Sequence, residues 1–405
     1  MAQGNLSGSA TTSGEPPPTP SKTFEIASAA RLSVEDLIER LIRVGASDLH
    51  LKVGSPPIVR VHGDLRRIEE LPSLESEDVV GLLYQMLQDP VRLERLHRTG
   101  AVDFAYESAH NVRLRVNAFQ ERGVFAVACR PIPVYIQRFE QLNLPPVLAQ
   151  IADEERGLIL VTGTTGSGKS TTLAAMIDWI NERKRKHVVT IEDPVEFVHA
   201  DKRATIAQRE VGRDTPSFHE ALRYVLRQDP DVILIGEMRD EETVRTALTA
   251  AQTGHLVLST LHTLDAPETV NRIIDFFEPH MQAQVRSMLA GTLRAIISQR
   301  LVPTADGEGR VPACEVLRGS ARVQAMLLNP EELMNIHDAI ADGGYYGMQT
   351  FDQALLYFVQ NGQVSLDDAL PLASRPHDFR LLLETGGQRA GSLAHVDYFD
   401  PEQQP

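Results

Sequence analysis

One octapeptide restricts what this 405-residue chain can fold into. Gly163-Thr164-Thr165-Gly166-Ser167-Gly168-Lys169-Ser170 fits G-x-x-x-x-G-K-[ST], the pattern of a phosphate-cradling loop. Gly157-Leu158-Ile159-Leu160-Val161-Thr162 before it is a short apolar run that reads as a buried strand. Thr171 to Ile180 after it reads as a helix. The order strand, glycine loop, helix N-terminus is the order the chemistry needs. Glycines let backbone N–H groups approach phosphate oxygens, and the helix adds unpaired N–H groups and the positive end of its dipole. Lys169 supplies a cation for the β- and γ-phosphates, and the Ser170 hydroxyl is a Mg²⁺ ligand. Gly163, Thr164, Thr165, Gly166, Ser167, Gly168, Lys169, Ser170 and Thr171 are therefore the expected nucleotide-binding residues, with ATP and Mg²⁺ as cofactors.

A second apolar strand, Asp229 to Ile235, ends in Gly236-Glu237. In parallel α/β sheets ligands sit beyond the carboxyl ends of the strands, so Glu237 is expected to face the metal and an attacking water. The alternative is that Glu237 caps the helix beginning near Arg239–Glu242. Between the two segments, Val188 to Glu196 reads as a further strand closed by an acidic pair and Pro194; Glu192 is a second candidate for activating water, and a solvated acidic turn is its plain alternative. Thr253 to Thr263 places His255 and His262 on either side of an apolar strand. Both are expected to sense or stabilise the γ-phosphate, against a purely structural role.

The chain organises into two main units. Residues 31–134 read as a small α+β domain, with a helix capped by Ser33 (Asp36 as its acidic box partner), strands at Gly45–Leu51 and Pro56–Leu65, helices near 75–99, and strands near Asn111–Phe119 and Gly123–Cys129. In Val112-Arg113-Leu114-Arg115-Val116-Asn117 the alternation puts both arginines on one strand face. That face, with Arg130 beyond it, is either a solvated, salt-bridged surface or a source of arginine fingers that lower transition-state charge. Pro131-Ile132-Pro133 marks a linker, assigned to 135–145. Residues 146–305 alternate strands and helices as a RecA-like α/β core, and 306–385 read as a C-terminal helical region. The ends, 1–30 and 386–405, are Gly/Ser/Pro-rich or loose and are expected to be tails.

Composition narrows the classes. Net charge is −15, which argues against broad nucleic-acid binding. Two cysteines cannot build a four-cysteine zinc site and require no oxidising compartment. No apolar run approaches the length of a membrane span, so direct membrane insertion is not expected. A nucleic-acid translocase and a nonhydrolysing nucleotide switch remain as other classes. The acidic charge disfavours the first, and the intact Lys169, Ser170, Glu192 and Glu237 disfavour the second.

The phosphate loop, the Thr190–Glu196 acid box, Asp229–Asp240 and the Thr253–Thr263 histidine box, in this order, resemble the type II/IV secretion ATPase superfamily. Within it they look like its type IV pilus twitching-motility (retraction) ATPases. Gly45–Leu51 and Arg113–Asn117 carry the resemblance into the first domain, and Gly347–Asp352 carries it into the C-terminal helices. The resemblance implies a small N-terminal α+β (PAS-like) domain, a RecA-like P-loop core and C-terminal helices. It implies a cytoplasmic homohexamer bound to the inner membrane through a pilus platform protein, with ATP held between the first domain of one subunit and the core of the next. It makes Glu192 the water-activating acid, Glu237 the acid of the second nucleotide motif, and His255 and His262 the histidine-box residues. Arg113, Arg115 and Arg130 resemble arginines offered to the neighbouring site. Two departures stand out. The zinc insert of the extension and type II secretion branches is missing. A segment that reads AIRNLI in retraction ATPases is Arg322 to Leu327 here, keeping its apolar spacing but losing the Arg-Asn pair, which leaves an accessory or assembly ATPase as the alternative.

Overall fold

A computed structural model of the protein describes residues 32–61, 64–109, 112–132 and 135–384. The two tails assigned to 1–30 and 386–405 lie outside the described residues.

The first unit is built on strands β1 (Asp48–Leu51), β2 (Ile58–Val61), β3 (Asp64–Arg67), β4 (Ala101–Glu107), β5 (Arg113–Glu121) and β6 (Val124–Ile132). They pair antiparallel in the order β3-β2-β1-β6-β5-β4. On β5 the period-two pattern decides the faces: Leu114, Val116 and Ala118 are fully buried, while Arg113, Arg115 and Asn117 take the other side. The helices Val34–Arg43 and Ser76–Met86 cover the apolar face with Leu37, Ile38, Leu41, Val79, Leu82 and Leu83. Ser33 caps the first of these by accepting the Glu35 N–H at 3.1 Å. Strand β4 lies outside the strands expected from the sequence, although Val102, Phe104 and Tyr106 alternate with Asp103, Ala105 and Glu107 along it.

Pro131, read as the start of a linker, is instead a residue of β6, opposite Leu114 of β5. The reason is that β1 pairs with β6 only over Val127–Cys129. Past that point no β1 ladder bond needs a donor from β6, so an imino residue is tolerated.

The second unit contains β7 (Gly157–Thr162), β8 (His187–Glu192), β9 (Thr205–Glu210), β10 (Val232–Ile235), β11 (Leu256–Leu261), β12 (Leu293–Pro303) and β13 (Arg310–Arg318). The sheet order is β13-β12-β7-β11-β10-β8-β9, and every pair is parallel except β12 with β13. All residues of β7 are buried, as a strand covered by helices on both faces must be. Leu158, Ile159, Leu160 and Val161 are each at most 1% exposed, and burial of side chains like these stabilises the fold by roughly 1.5–3 kcal/mol each. The phosphate loop therefore leaves from the carboxyl end of a fully buried strand.

The region from 306 onward is not helical throughout. Strand β13 pairs with β12 over Ala295–Pro303 and belongs to the core sheet. Its residues Val311 and Ala313 pack with Phe351, Leu355 and Phe358 of the helix Phe351–Gln360. The helical part proper begins at Ala321–Leu328. Among the described residues no helix is long and apolar enough to cross a membrane. Both cysteines, Cys129 and Cys314, are buried free thiols.

Candidate functional site: a nucleotide cavity at the carboxyl edge of the core sheet

The loop after β7 turns on its glycines. Gly163 has φ +139°, and a Cβ built on it would lie 2.5 Å from the Gln299 carbonyl oxygen and from Ser167 Oγ. Gly168, at φ +94°, is the left-handed residue that opens the helix Lys169–Arg183. The loop so formed lines a cavity of about 500 Å³ with Thr165, Gly166, Gly168, Lys169, Ser170 and Thr171. Gly163, Thr164 and Ser167 do not line it. Lys169 Nζ donates to the carbonyl oxygens of Gly163 and Thr164, both at 2.9 Å. Burial pulls its pKa below the ordinary lysine value, while the nearby Glu237 and Glu196 carboxylates act to restore it. A phosphate arriving here would meet a cation already held by the loop.

The acids arrive from neighbouring strand ends. Glu192 closes β8; its carboxylate accepts from Thr190 Oγ1 at 2.7 Å, Gln208 Nε2 at 3.2 Å and the Glu196 N–H at 3.4 Å. Burial raises its pKa above that of an ordinary glutamate, and those hydrogen bonds offset only part of the effect. Glu237 follows β10, with Arg239 Nη2 at 2.8 Å and His262 Nε2 at 3.4 Å. It does not cap the next helix. Asp240 does, accepting the Thr243 N–H at 2.8 Å. Glu237 is thus left to the cavity.

The two histidines part company. His262 stands just past the carboxyl end of β11 and lines the cavity. His255 precedes β11, at the opposite edge of the sheet, where its Nδ1 lies 3.0 Å from the Ala250 carbonyl oxygen and 3.2 Å from Thr253 Oγ1. The expectation that His255 acts on the γ-phosphate is corrected: the six-residue strand separates it from the cavity by about 20 Å of backbone.

The arginines part company as well. Arg115 and Arg130 line the cavity of their own chain, together with Lys169. Reaching the cavity from their own chain, they need no neighbouring subunit to meet Lys169. Arg130 is held by Asp48, at 2.8 Å from Nε and 2.7 Å from Nη2. Burial would raise the Asp48 pKa, but hydrogen bonds from Ser47 and Arg130 carry it below the usual carboxylate value. Arg113 does not line the cavity; it pairs with Glu210 of the core at 2.6 Å.

Other cavity residues carry no role in the sequence reading. Arg239 and Glu196 lie inside the acid motifs, two and four residues beyond Glu237 and Glu192, and proximity along the chain was the available signal. Arg310, on β13, and His199 had none. Burial depresses the His199 pKa to about 4.

The Mg²⁺ expectation fits the donor set. Among the described residues no cluster of three or more His, Cys, Asp or Glu side chains is arranged to hold a metal by itself. Mg²⁺ in nucleotide sites is held by one or two protein groups together with substrate phosphates. Ser170 and Glu237 both line the cavity and are the groups available to it.

A sequence profile described as type II/IV secretion system protein matches residues 25–347, most of the chain. The chain belongs to that family. It is 47% identical over 349 residues to the type IV pilus retraction ATPase PilT of Pseudomonas aeruginosa, covering 86% of this chain and all of the relative. It is 38% identical over 357 residues to the type IV pilus ATPase PilU of the same organism, covering 88% and 93%. The crystal structure of the pilus retraction motor PilT with bound ADP superposes with a TM-score of 0.80 at 43% identity, covering 86% of this chain and 99% of the other. The secretion-ATPase fold and the ATPase class follow for this chain: a PAS-like α+β sheet domain, a RecA-like core and C-terminal helices around one nucleotide cavity.

Proposed function

We propose that the chain is an ATP-hydrolysing motor of type IV pilus retraction, working as a homohexamer at the cytoplasmic face of the inner membrane against a pilus platform protein. The observation that carries the reading is the convergence of Lys169, Glu237, His262, Arg115 and Arg130 on one cavity, in a chain 47% identical to a retraction ATPase. Lys169 and the loop N–H groups bind the phosphates, and Ser170 with Glu237 would hold the Mg²⁺. That ion would supply charge neutralisation at the β- and γ-oxygens.

The remaining chemistry belongs to side chains. Glu192 orients or deprotonates the attacking water; its raised pKa suits a base that must give its proton back. His262, its Nε2 3.4 Å from Glu237 Oε1, is placed to follow the γ-phosphate as it leaves. Arg115 and Arg130 bring positive charge to the oxygens that gain charge in the transition state.

An accessory ATPase of the same apparatus is the second reading. What favours it is the helix Ala321–Leu328, in which Val323, Met326 and Leu327 are buried as core while Gln324-Ala325 stands where retraction ATPases carry Arg-Asn. Deleting the gene separates the readings. Excess surface pili without twitching support retraction. Normal retraction in the deletion strain refutes a principal motor, and loss of pili points to assembly.

A further inference from the structure

Two arginines on separate elements of the N-terminal domain converge on one turn of the core. Arg113, on β5, places Nη2 2.6 Å from Glu210 Oε2. Arg92, in the helix Pro90–Thr99, donates from Nη2 to the Gly212 carbonyl oxygen at 3.2 Å. The turn they grip is itself braced. The Glu210 N–H donates to Asp214 Oδ2 at 2.8 Å, the Asp214 N–H returns to the Glu210 carbonyl at 2.8 Å, and the Gly212 N–H donates to the Thr215 carbonyl at 2.7 Å.

The Arg113–Glu210 pair is deep. The two side chains are 18% and 3% exposed, and Glu210 Oε2 also accepts the Val195 N–H at 3.4 Å. A pair this buried is a poor source of net stability, since desolvation cancels much of its attraction. It is a strict constraint on geometry, because separating the partners strands a carboxylate inside the protein. Both ends of the pair lead to the nucleotide cavity. Glu210 ends β9 and is the register partner of Glu192, which ends β8. Arg113 lies two residues from Arg115 on the same face of β5. Alternate residues of a strand are about 7 Å apart and move together, so a displacement at Arg113 reappears at Arg115.

We propose that Arg113 is a positioning residue: its ion pair with Glu210 locks the N-terminal sheet onto the turn after β9 and thereby holds Arg115 at the nucleotide. Arg113 itself does not line the nucleotide cavity. The inference rests on the cavity being the site of ATP hydrolysis, and the experiment is arranged so that the two fail separately.

The experiment measures kcat and KM for ATP in wild type, Arg113→Gln, Arg113→Lys, Arg115→Ala and the double variant Arg113→Gln/Arg115→Ala, with thermal unfolding of each. Arg113→Gln is expected to lower kcat at least about tenfold, with Arg113→Lys recovering part of the loss. Once Arg115 is gone its placement no longer matters, so the double variant should match Arg115→Ala within about twofold. Wild-type kcat in Arg113→Gln, or losses that multiply in the double variant, overturns the proposal. Should Arg113→Gln fail to fold, Glu210→Gln, which keeps the volume and one hydrogen bond, is put through the same comparison with Arg115→Ala and judged by the same outcomes. Lys169→Ala is the separate control: if it hydrolyses ATP like wild type, the assignment of the cavity falls, whatever Arg113 does.

Discussion

His262 Nε2 lies 3.4 Å from Glu237 Oε1, joining the ends of two adjacent parallel strands across the nucleotide cavity. The contact depends on β10 and β11 being neighbours, and it makes the histidine box and the second acid motif one unit. Glu237→Gln should keep nucleotide binding and lose at least about two orders of magnitude in kcat, as when a group acting in the transition state is removed. His262→Ala should lower kcat by at least about tenfold, and His255→Ala should leave it within about twofold of wild type. Equal losses in the two histidine variants, measured by steady-state phosphate release, would contradict the separation of His255 from the cavity.

Lys169→Ala should abolish hydrolysis and sharply weaken nucleotide binding. Its Nζ is the one lysine ammonium lining the cavity among the described residues, and it is already gathered onto the loop carbonyls. Titration with a fluorescent ADP analogue, alongside turnover, checks both halves; near-normal turnover would be decisive against the assignment.

Mixing Arg115→Ala subunits with Lys169→Ala subunits should restore no activity beyond that of the parents. Arg115 and Lys169 line the cavity of one chain, so a mixed ring contains no chain with both groups intact. Subunit exchange is established first by fluorescence transfer. Recovery of turnover in the mixed rings would show that the arginine acts on a neighbour after all.

His199 gives a pH signature. Burial lowers its pKa from 6.5 to about 4, with Asp178 opposing and Lys202 adding to the effect. Between those values the unfolded chain binds the proton and the native chain does not, so stability falls as pH falls from about 6.5 to 4. The difference in unfolding free energy between wild type and His199→Gln should shrink by about 3 kcal/mol over that range, wild type losing more. Denaturant melts of nucleotide-free protein at several pH values measure it, and parallel curves for the two proteins would refute the assignment.

Gly163→Ala should disrupt the loop. Its φ of +139° and the 2.5 Å approach of the Gln299 carbonyl oxygen leave no room for a Cβ, and the backbone would have to move. The expected result is a loss of more than about 1 kcal/mol of stability together with nucleotide binding. Unchanged melting temperature and affinity would show that the loop relaxes freely.

Much of this protein was legible in its sequence, for reasons that can be named. A phosphate loop works through backbone geometry, and glycines at fixed offsets between an apolar strand and a helix encode that geometry locally. The buried strands β7, β10 and β11 announce themselves as continuous apolar runs because parallel strands are covered on both faces. Glu192, Glu237 and Lys169 followed, since each is tied to the carboxyl end of such a strand.

Only the tertiary structure decided what those residues meet. Local pattern puts Arg113 and Arg115 on one strand face and treats them alike, yet one is spent on Glu210, 97 positions away, and the other reaches the cavity. His255 and His262 flank the same strand symmetrically in sequence, and strand direction places them at opposite edges of the sheet. Strand β13, in a stretch assigned to the C-terminal helical region, carries Arg310 to the cavity as the second strand of a hairpin with β12, their register beginning at Pro303 opposite Arg310. For the arginines the deciding interaction joins residues distant along the chain. Periodicity reports which face a side chain takes, while its partner is fixed by how the sheet is ordered and how the two units are docked.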